Sequence, residues 1–420
     1  WRPAVTFGGG QTGWIVNANF GQNPSFSGET TAGTNTDGNG KGLFKYAPPT
    51  GFLALCEDNL PTPAIADPGK HFKTVLYTGN GSTQAVTGFG FEPDLVWVKN
   101  RDNSYYHRFW DSVRGVGRTG LYSNTTEAEG HWEQSGVSGY DQDQVTSFDD
   151  DGFTVLKGPN GDGLNENTVR YVAWCWKAGG PAVFNTAGNI NANVSANQTA
   201  GFSIVSYTGT GSAGTVGHGL GKAPSFIIVK NRDDTGASGP TNGNWQIWHS
   251  GFTIKHAIQL NLTSTTANGG SDTGYWNNTL PTSSVFSVGN FNSTNGSSDN
   301  MIAYCWAEIE GYSNFGSYEG NGDAEGPFVW CGFQPAWIMI KRIDSAGQWN
   351  ILDTGRSPIN PKDVNLLANA ADLETYGSRV VDFVSNGFKP RNTTGDINAD
   401  GGIYIFAAFA STPFKTARAK

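Results

Sequence analysis

The order of apolar and polar positions repeats three times along the chain, and each repeat predicts the same succession of short strands. Every repeat opens with an apolar strand that ends in Tyr-x-Gly, at residues 75–79, 204–209 and 316–320. A proline then starts an apolar strand that ends in lysine, at residues 93–99 (PDLVWVK), 224–230 (PSFIIVK) and 335–341 (PAWIMIK). Proline suits the first position of a strand, where no backbone donor is needed. The three segments, repeats 1, 2 and 3, therefore encode one structural unit.

The second half of each repeat adds further shared landmarks. One strand carries Trp110, Trp248 or Leu352, and the repeats close with apolar strands at residues 171–176, 301–306 and 404–409. Because these closing strands are apolar at consecutive positions, we expect them to lie in the centre of a sheet. We also predict that Trp110, Trp248 and Leu352 occupy equivalent positions in three superposable units.

Short strands separated by turn signals predict an all-β fold of tandem sandwiches, or jelly rolls. Each repeat has roughly 100 residues, the size of one domain, so we expect independently folded units joined like beads. The predicted domains are residues 71–180, 201–312 and 313–420, with a linker at 181–200 and a different segment at 1–70. Residues 178–200 are uncharged and rich in Asn, Ala and Gly, and we expect part of this connector to form an edge strand. Only residues 364–374 have a helical composition.

Composition narrows the possible functions. The chain has 58 Gly, 14 Trp and 15% charged residues, which favours tight turns and an aromatic core over disorder. A net charge of −9 disfavours nucleic acid as a partner. No apolar run is long enough to span a bilayer, so membrane insertion is not expected. Because the chain starts at Trp1, we expect it to be part of a longer protein.

The four cysteines are Cys56, Cys175, Cys305 and Cys331. They show no CxxC spacing and no nearby histidine, which argues against a zinc site. Cys175 and Cys305 occupy the same place in two repeats, so we predict matching, buried and reduced thiols. No cofactor is predicted.

The N-terminal segment resembles the last part of a SPRY domain. Residues 19–22 (NFGQ) are followed by 44–56 (FKYAPPTGFLALC) and 59–61 (NLP). The earlier strands of that family are missing from this sequence. The resemblance implies a partial SPRY-like sandwich at residues 1–70.

The repeats resemble the concanavalin A-like, laminin-G-like jelly-roll repeats of structural proteins from tailed phages. Residues 209–230 (GTGSAGTVGHGLGKAPSFIIVK), 316–341 and 413–418 (PFKTAR) carry this resemblance. It implies a non-enzymatic tail fibre, spike or capsid decoration located in the virion, with other virion proteins as partners. Surplus aromatic residues must face another repeat or protomer, which together with fibre symmetry favours a homotrimer.

Enzymatic and metal chemistry have weak candidates. A glycosidase needs two carboxylates across a cleft, and the best pair is Glu308 and Glu310, which would share one face of a strand. The glucanases of this fold carry a third carboxylate that is absent here, so we expect no catalysis. The oxygen-rich turns around Asp149, Asp151 and Asp162 are weak calcium candidates.

Carbohydrate binding is the more plausible chemistry, because aromatic faces stack on sugar rings. The candidate ligand-binding aromatics are Tyr105, Tyr106, His131, Trp132, Tyr140, Trp245, Tyr275 and Trp276. Contacts between repeats or protomers would explain the same residues. Lys99, Lys230 and Lys341 recur at one position and favour a role in the fold. Two hypotheses stay open: a module that binds a host-surface glycan, and a purely structural decoration or shaft. A glycan-degrading enzyme is a distant third.

Overall fold

The structure is a computed structural model that describes residues 20–60, 62–117, 119–130, 143–158, 163–234, 243–252, 256–265, 267–268, 273–413 and 415. The chain divides into two compact units, Trp1–Thr62 and Pro63–Lys420. The described part is nearly all β, as predicted. Its helical segments are the single turns Glu57–Asn59, Pro68–Lys70 and α1, Asn292–Asn295.

The N-terminal unit, Trp1–Thr62, is organised around the carboxylate of Asp37. This group accepts hydrogen bonds from the amides of Asn39 (2.9 Å), Lys41 (2.8 Å) and Ala54 (2.8 Å), and from Nδ2 of Asn59 (2.6 Å). Desolvation raises the pKa of Asp37, but these hydrogen bonds outweigh it and lower the pKa to about 2. A single carboxylate thus joins residues that are distant in the sequence.

The strands of Pro63–Lys420 follow the predicted order. Repeat 1 contains β1 (Phe72–Thr78), β2 (Gln84–Thr87), β3 (Leu95–Asn100), β4 (Arg108–Asp111), β5 (Gln144–Asp149), β6 (Gly152–Leu156) and β7 (Arg170–Trp176). The connector contains β8 (Val183–Asn185) and β9 (Ala192–Asn197). Repeat 2 contains β10 (Phe202–Thr208), β11 (Gly214–Gly217), β12 (Phe226–Asn231), β13 (Gln246–His249), β14 (His256–Gln259), β15 (Ala267–Asn268), β16 (Val285–Val288) and β17 (Asn300–Trp306). Repeat 3 contains β18 (Ser313–Glu319), β19 (Val329–Trp330), β20 (Phe333–Arg342), β21 (Trp349–Asp353), β22 (Lys362–Leu367), β23 (Thr375–Val384), β24 (Gly387–Pro390) and β25 (Ile403–Pro413).

Each repeat has an antiparallel inner sheet built around its closing strand. The orders are β1-β7-β3-β4 in repeat 1, β8-β9-β10-β17-β12-β13-β14-β15 in repeat 2, and β18-β25-β20-β21 within a longer sheet in repeat 3. The closing strands β7, β17 and β25 are central, which confirms that prediction. The outer layers are β2-β6-β5, β11-β16 and the end β23-β24-β19 of the third sheet. The connector forms an edge strand, β8, as expected, but residues 364–367 continue strand β22 and the predicted helix is wrong.

The registers of the three inner sheets coincide. Trp110 pairs with Val96, Trp248 with Ile227, and Leu352 with Ile338. These partners in turn pair with Cys175, Cys305 and Ala408 of the closing strands. The predicted equivalence of Trp110, Trp248 and Leu352 is therefore confirmed. All four cysteines are free, and Cys175 and Cys305 are buried at matching sites, also as predicted.

Two separate cores explain why the closing strands are apolar on both faces. Side chains alternate between the faces of a strand. Ala173 and Cys175 contribute to the sandwich core of repeat 1, whereas Trp174 and Trp176 contribute to a core shared by all three repeats. Trp176 lies 6.0 Å from Trp306 and 5.8 Å from Trp337, measured between ring centroids. The repeats are therefore not beads, because they bury a common apolar core.

Hydrogen bonds between the repeats close them into a ring. Nε1 of Trp245 donates to the Tyr122 carbonyl of repeat 1, and Nε1 of Trp349 donates to the Gln259 carbonyl of repeat 2, both at 2.8 Å. The Ser123 hydroxyl of repeat 1 donates to the Ala368 carbonyl of repeat 3 at 2.8 Å. Repeat 2 thus binds repeat 1, repeat 3 binds repeat 2, and repeat 1 binds repeat 3. We call this pseudo-threefold arrangement within one chain the three-repeat ring.

Candidate functional site

Three of the predicted ligand-binding aromatics lie in the protein interior. Trp245 is 0% exposed, and Tyr275 and Trp276 are each 4% exposed. Trp245 packs in the shared core, while Tyr275 and Trp276 belong to the sandwich core of repeat 2. The prediction that these rings contact a ligand is therefore wrong, because none of them presents a face to solvent. The alternative, contacts within and between repeats, accounts for them.

The remaining predicted aromatics form no common site in the described residues. Tyr105 and Tyr106 are half-buried, and the Tyr106 ring lies edge-on to Tyr122 at 5.9 Å between centroids. His131, Trp132 and Tyr140 lie outside the described residues. Tyr106 thus packs against its own repeat.

The candidate calcium turn has a structural role in its described part. The Asp151 carboxylate accepts hydrogen bonds from the amides of Gly88 (3.0 Å) and Gly90 (2.5 Å), which lower its pKa. Asp149 accepts a hydrogen bond from the Thr154 hydroxyl at 2.8 Å. Asp162 lies outside the described residues. Across the described ranges, no group of three His, Cys, Asp or Glu side chains could hold a metal ion.

Glu308 and Glu310, the best candidate for a carboxylate pair, do not lie together on a strand. They flank Ile309, which forms an isolated bridge to Ser313 as the chain turns into β18. Glu308 is half-buried and accepts a hydrogen bond from Nδ2 of Asn314 at 3.2 Å, and burial raises its pKa. Glu310 is exposed. Residues two positions apart share one face only on a strand, so the turn does not place the two carboxylates side by side.

Comparison of the three repeats identifies a surface that the sequence interpretation missed. Val86, Val216 and Val329 are equivalent, since they pair with Phe153, Phe286 and Phe388 on the neighbouring outer strand. The residues that flank the valine are Ala85 and Thr87 in repeat 1, Thr215 and Gly217 in repeat 2, and Phe328 and Trp330 in repeat 3. Only repeat 3 places aromatic side chains there. Aligning the repeats at this edge strand would have found them from the sequence.

Phe328 and Trp330 lie on the outer face of repeat 3 and are open to solvent. Trp330 is 59% exposed and Phe328 is 52% exposed, whereas Val329 between them is buried in the sandwich core. The indole lies against Gly332, where an added Cβ would approach its ring to 3.0 Å. Because equivalent positions in the other repeats are small, these rings are not required by the fold. They are exposed aromatics of the kind that marks a contact site.

Charged side chains border these aromatics. Val329 pairs with Phe388 in an antiparallel ladder. Phe328, one residue before Val329, therefore lies opposite Lys389, one residue after Phe388. The Glu325 carboxylate binds Nζ of Lys389 and Nη1 of Arg391, each at 2.6 Å, and these hydrogen bonds lower its pKa. Asp382 binds Nε of Arg391 at 3.3 Å. We call Phe328, Trp330, Glu325, Lys389 and Arg391 the repeat-3 patch: two flat apolar rings beside charged donors and acceptors.

The N-terminal unit carries an apolar groove of about 400 Å³. Its walls include Phe20, Tyr46 and Phe52, which are 53%, 73% and 68% exposed. The ammonium of Lys45, also in the wall, donates to the Thr31 carbonyl at 2.5 Å. Ligand sites usually combine an apolar lining with convergent polar groups. Lys45 is the one charged residue among the described residues in the wall of the groove, whereas three charged side chains lie beside the rings of the repeat-3 patch.

Comparison with known protein families identifies one match. A family model described as Domain of unknown function (DUF7483) matches residues 67–413 of the 420. No curated protein matches the chain. None of the described helices has the length and apolar character needed to cross a membrane.

Proposed function

The chain belongs to the DUF7483 family of domains of unknown function, and we propose that its three-repeat ring is a non-enzymatic adhesion module of a phage virion. In this proposal the repeat-3 patch binds a host-surface glycan, and other virion proteins are the assembly partners. The exposure of Trp330 and Phe328 at positions that are small in the other two repeats carries the proposal. The assignment to a fibre, spike or capsid appendage rests on the sequence resemblance alone.

The chemistry of the patch suits a sugar ring. An indole face and the axial C–H face of a sugar are both flat and apolar, so they stack and exclude water. Carboxylate oxygens and ammonium or guanidinium donors can then satisfy the hydroxyls at the rim of the ring. Glu325, Lys389 and Arg391 supply both kinds of group, and their ion pairs bring them together beside the rings.

The purely structural hypothesis is the second candidate, and the shared core favours it. Trp176, Trp306 and Trp337 are buried between repeats, so aromatic surplus alone does not require a ligand. The same observation removes the main reason to expect a homotrimer, because the ring accommodates within one chain the aromatics that a trimer interface would have buried. Sedimentation of the purified chain distinguishes a 44.8 kDa monomer from a trimer.

Substitution of Trp330 by Ala should weaken glycan binding by about tenfold or more, the equivalent of about 1.4 kcal/mol. The wild-type chain is first applied to an array of bacterial surface polysaccharides, and a retained glycan is then titrated calorimetrically. Thermal stability should change little, because the Trp330 ring is 59% exposed. No release of reducing ends from the glycan is expected.

Phe184→Ala provides the matched control, since Phe184 is a 67% exposed aromatic on β8, away from the patch. This variant should bind the glycan like the wild type. If no glycan is retained, or if Trp330→Ala and Phe184→Ala bind equally well, the structural hypothesis replaces the adhesive one.

A further inference from the structure

The connector before repeat 2 covers the outer edge of that repeat. Ile190 forms a parallel bridge with Val216, and its amide donates to the Thr215 carbonyl at 3.0 Å. The side chain of Asn189 accepts a hydrogen bond from the Thr215 amide at 2.6 Å, and its own amide donates to the Thr215 hydroxyl at 3.1 Å. Residues 189–190 therefore satisfy both main-chain groups of Thr215 that face away from β16. An extended segment acts here as an added strand.

Repeat 1 has an outer edge of the same construction. Residues 72–88 (FKTVLYTGNGSTQAVTG) align without a gap to 202–218 (FSIVSYTGTGSAGTVGH). Asn165 accepts from the Asn80 amide at 2.9 Å, as Asn295 accepts from the Thr210 amide at 2.8 Å, so the turns before β2 and β11 are held alike. Val86 pairs with Phe153 as Val216 pairs with Phe286. Ala85 in repeat 1 is therefore the structural equivalent of Thr215 in repeat 2.

The edge of β2 has no cover in the described part of the chain. Ala85 and Thr87 are exposed, and no described residue hydrogen-bonds the main chain of Ala85 on its outward side. Proteins usually protect such an edge with charge, proline or a bulge. β2 (Gln-Ala-Val-Thr) has no charged residue and no proline, and only its length of four residues limits pairing. Its outward main-chain groups are therefore open to strand addition.

Contacts at β11 define which sequence such a strand needs. A Cβ added to Gly188 would lie 2.2 Å from the Thr215 carbonyl oxygen, so glycine must precede the asparagine. A Cβ added to Gly217 would lie 2.0 Å from Oδ1 of Asn185. Because Thr87 carries a Cβ at the position of Gly217, the occupant of β2 must have a small residue in place of Asn185. The residue equivalent to Gly217 in repeat 3 is Trp330, whose Cβ would crowd such a strand, so repeat 3 is the poorer acceptor.

We propose that the open edge of β2 in repeat 1 binds an extended, uncharged segment of a partner protein in parallel orientation, through a Gly-Asn-aliphatic sequence. The asparagine side chain accepts from the Ala85 amide, and the amide of the aliphatic residue donates to the Ala85 carbonyl. The site is independent of the repeat-3 patch and of glycan binding. It attaches a partner protein rather than a sugar.

Hydrogen–deuterium exchange of the whole chain tests the proposal with the peptide Gly-Thr-Ala-Gly-Asn-Ile-Asn, derived from residues 185–191 with Gly in place of Asn185. At millimolar, saturating peptide, exchange of the Ala85 amide should slow by roughly tenfold. The Thr215 amide, already bonded to Asn189, is the internal reference and should not change. A peptide with Ala in place of the asparagine should protect Ala85 much less.

Ala85→Pro removes the outward amide, and proline is tolerated at an edge. This variant should keep its melting temperature and show no peptide-induced protection of the β2 segment, whereas Trp330→Ala should respond like the wild type. Unchanged Ala85 exchange with peptide, equal protection by both peptides, or protection of the β2 segment in Ala85→Pro would each overturn the proposal.

Discussion

Replacing Asp111 or Asp353 with Asn should lower the free energy of unfolding of Pro63–Lys420 by about 2–3 kcal/mol each, because each change removes the nearest charge partner of a buried guanidinium. A more distant carboxylate stays in place, Glu129 at 3.0 Å from Arg114 and Glu374 at 3.5 Å from Arg356. Asp111 and Arg114 have fully buried side chains that meet at 2.5 Å, and the Tyr304 hydroxyl of repeat 2 donates to Asp111 at 2.7 Å. Asp353 and Arg356 meet at 2.6 Å and are equally buried, and Nε1 of Trp174 in repeat 1 donates to Asp353 at 3.1 Å. Each carboxylate thus joins a buried ion pair to a contact that closes the ring.

The third equivalent position supplies the matched control, since His249 pairs with Phe226 as Asp111 pairs with Leu95. Burial lowers the pKa of His249 to about 4, so the ring is neutral at pH 7, and Nε2 lies 3.1 Å from the Phe406 carbonyl of repeat 3. The His249 Nδ1 also accepts a hydrogen bond from the Gly251 amide at 2.9 Å, which the Oδ1 of an asparagine can take over. His249→Asn should therefore cost only about 1 kcal/mol, the value of the one neutral hydrogen bond lost at Nε2. Guanidinium unfolding at pH 7, followed by tryptophan fluorescence, measures all three variants. An equal loss for His249→Asn would show that ring contacts in general, rather than the buried charges, set the cost.

The strand order of Pro63–Lys420 was predictable because each landmark is local. A run such as PDLVWVK shows its own β character, and the same order in three segments removes most of the ambiguity. The helix predicted for residues 364–374 is wrong because contacts distant in the sequence decide the conformation there. The Leu, Ala and Glu content of this segment favours a helix, but pairing of β22 with β21 and β23 decides the conformation of its first half.

The shared core could not be read from the sequence. The apolar runs in β7 and β17 showed that both faces are covered, yet the pattern is the same whether a neighbouring repeat or another protomer covers the second face. Trp245 lies in a polar segment (TNGNWQIW), a pattern typical of a loop. Its burial follows from contacts with repeat 1, whose residues are more than 100 positions earlier. Residue type alone does not distinguish Trp330 from the buried tryptophans, and only an alignment of the three repeats at their edge strand separates it from them.

We expect the stability of the chain to depend strongly on pH, because three lysines at equivalent positions are buried. Lys99, Lys230 and Lys341 are 0% exposed. The ammonium of Lys230 donates to the Thr126 carbonyl of repeat 1 at 3.1 Å, and that of Lys341 donates to the Thr263 carbonyl of repeat 2 at 3.1 Å. Burial lowers the pKa to about 7 for Lys99, about 7 for Lys230 and about 8 for Lys341. The recurring lysines thus serve the fold, as their position in the sequence indicated.

Whether stability rises or falls with pH depends on how many protons the folded and the unfolded chain bind. Above about pH 7 the folded chain releases protons that the unfolded lysines keep up to about pH 10.4, so stability rises with pH by about 1.4 kcal/mol per pH unit and lysine. Buried Cys175, Cys305 and Cys331 oppose this trend, because burial raises their pKa values while unfolded thiols ionise near pH 8.5. The net gain is therefore confined to roughly pH 7–8.5, and about 2–4 kcal/mol is expected across that window.

Denaturant unfolding at pH 6.5, 7.5 and 8.5 measures this rise directly. Lys230→Met removes one of the two lysines with a pKa of about 7, so its stability should increase between pH 7 and 8.5 by only about half as much as that of the wild type. Lys73→Met, at an exposed lysine on β1, should leave the slope unchanged. A flat profile for the wild type would mean that the three ammonium groups stay charged in the folded chain. Their hydrogen bonds to main-chain carbonyls would then compensate for the burial that lowers their pKa values.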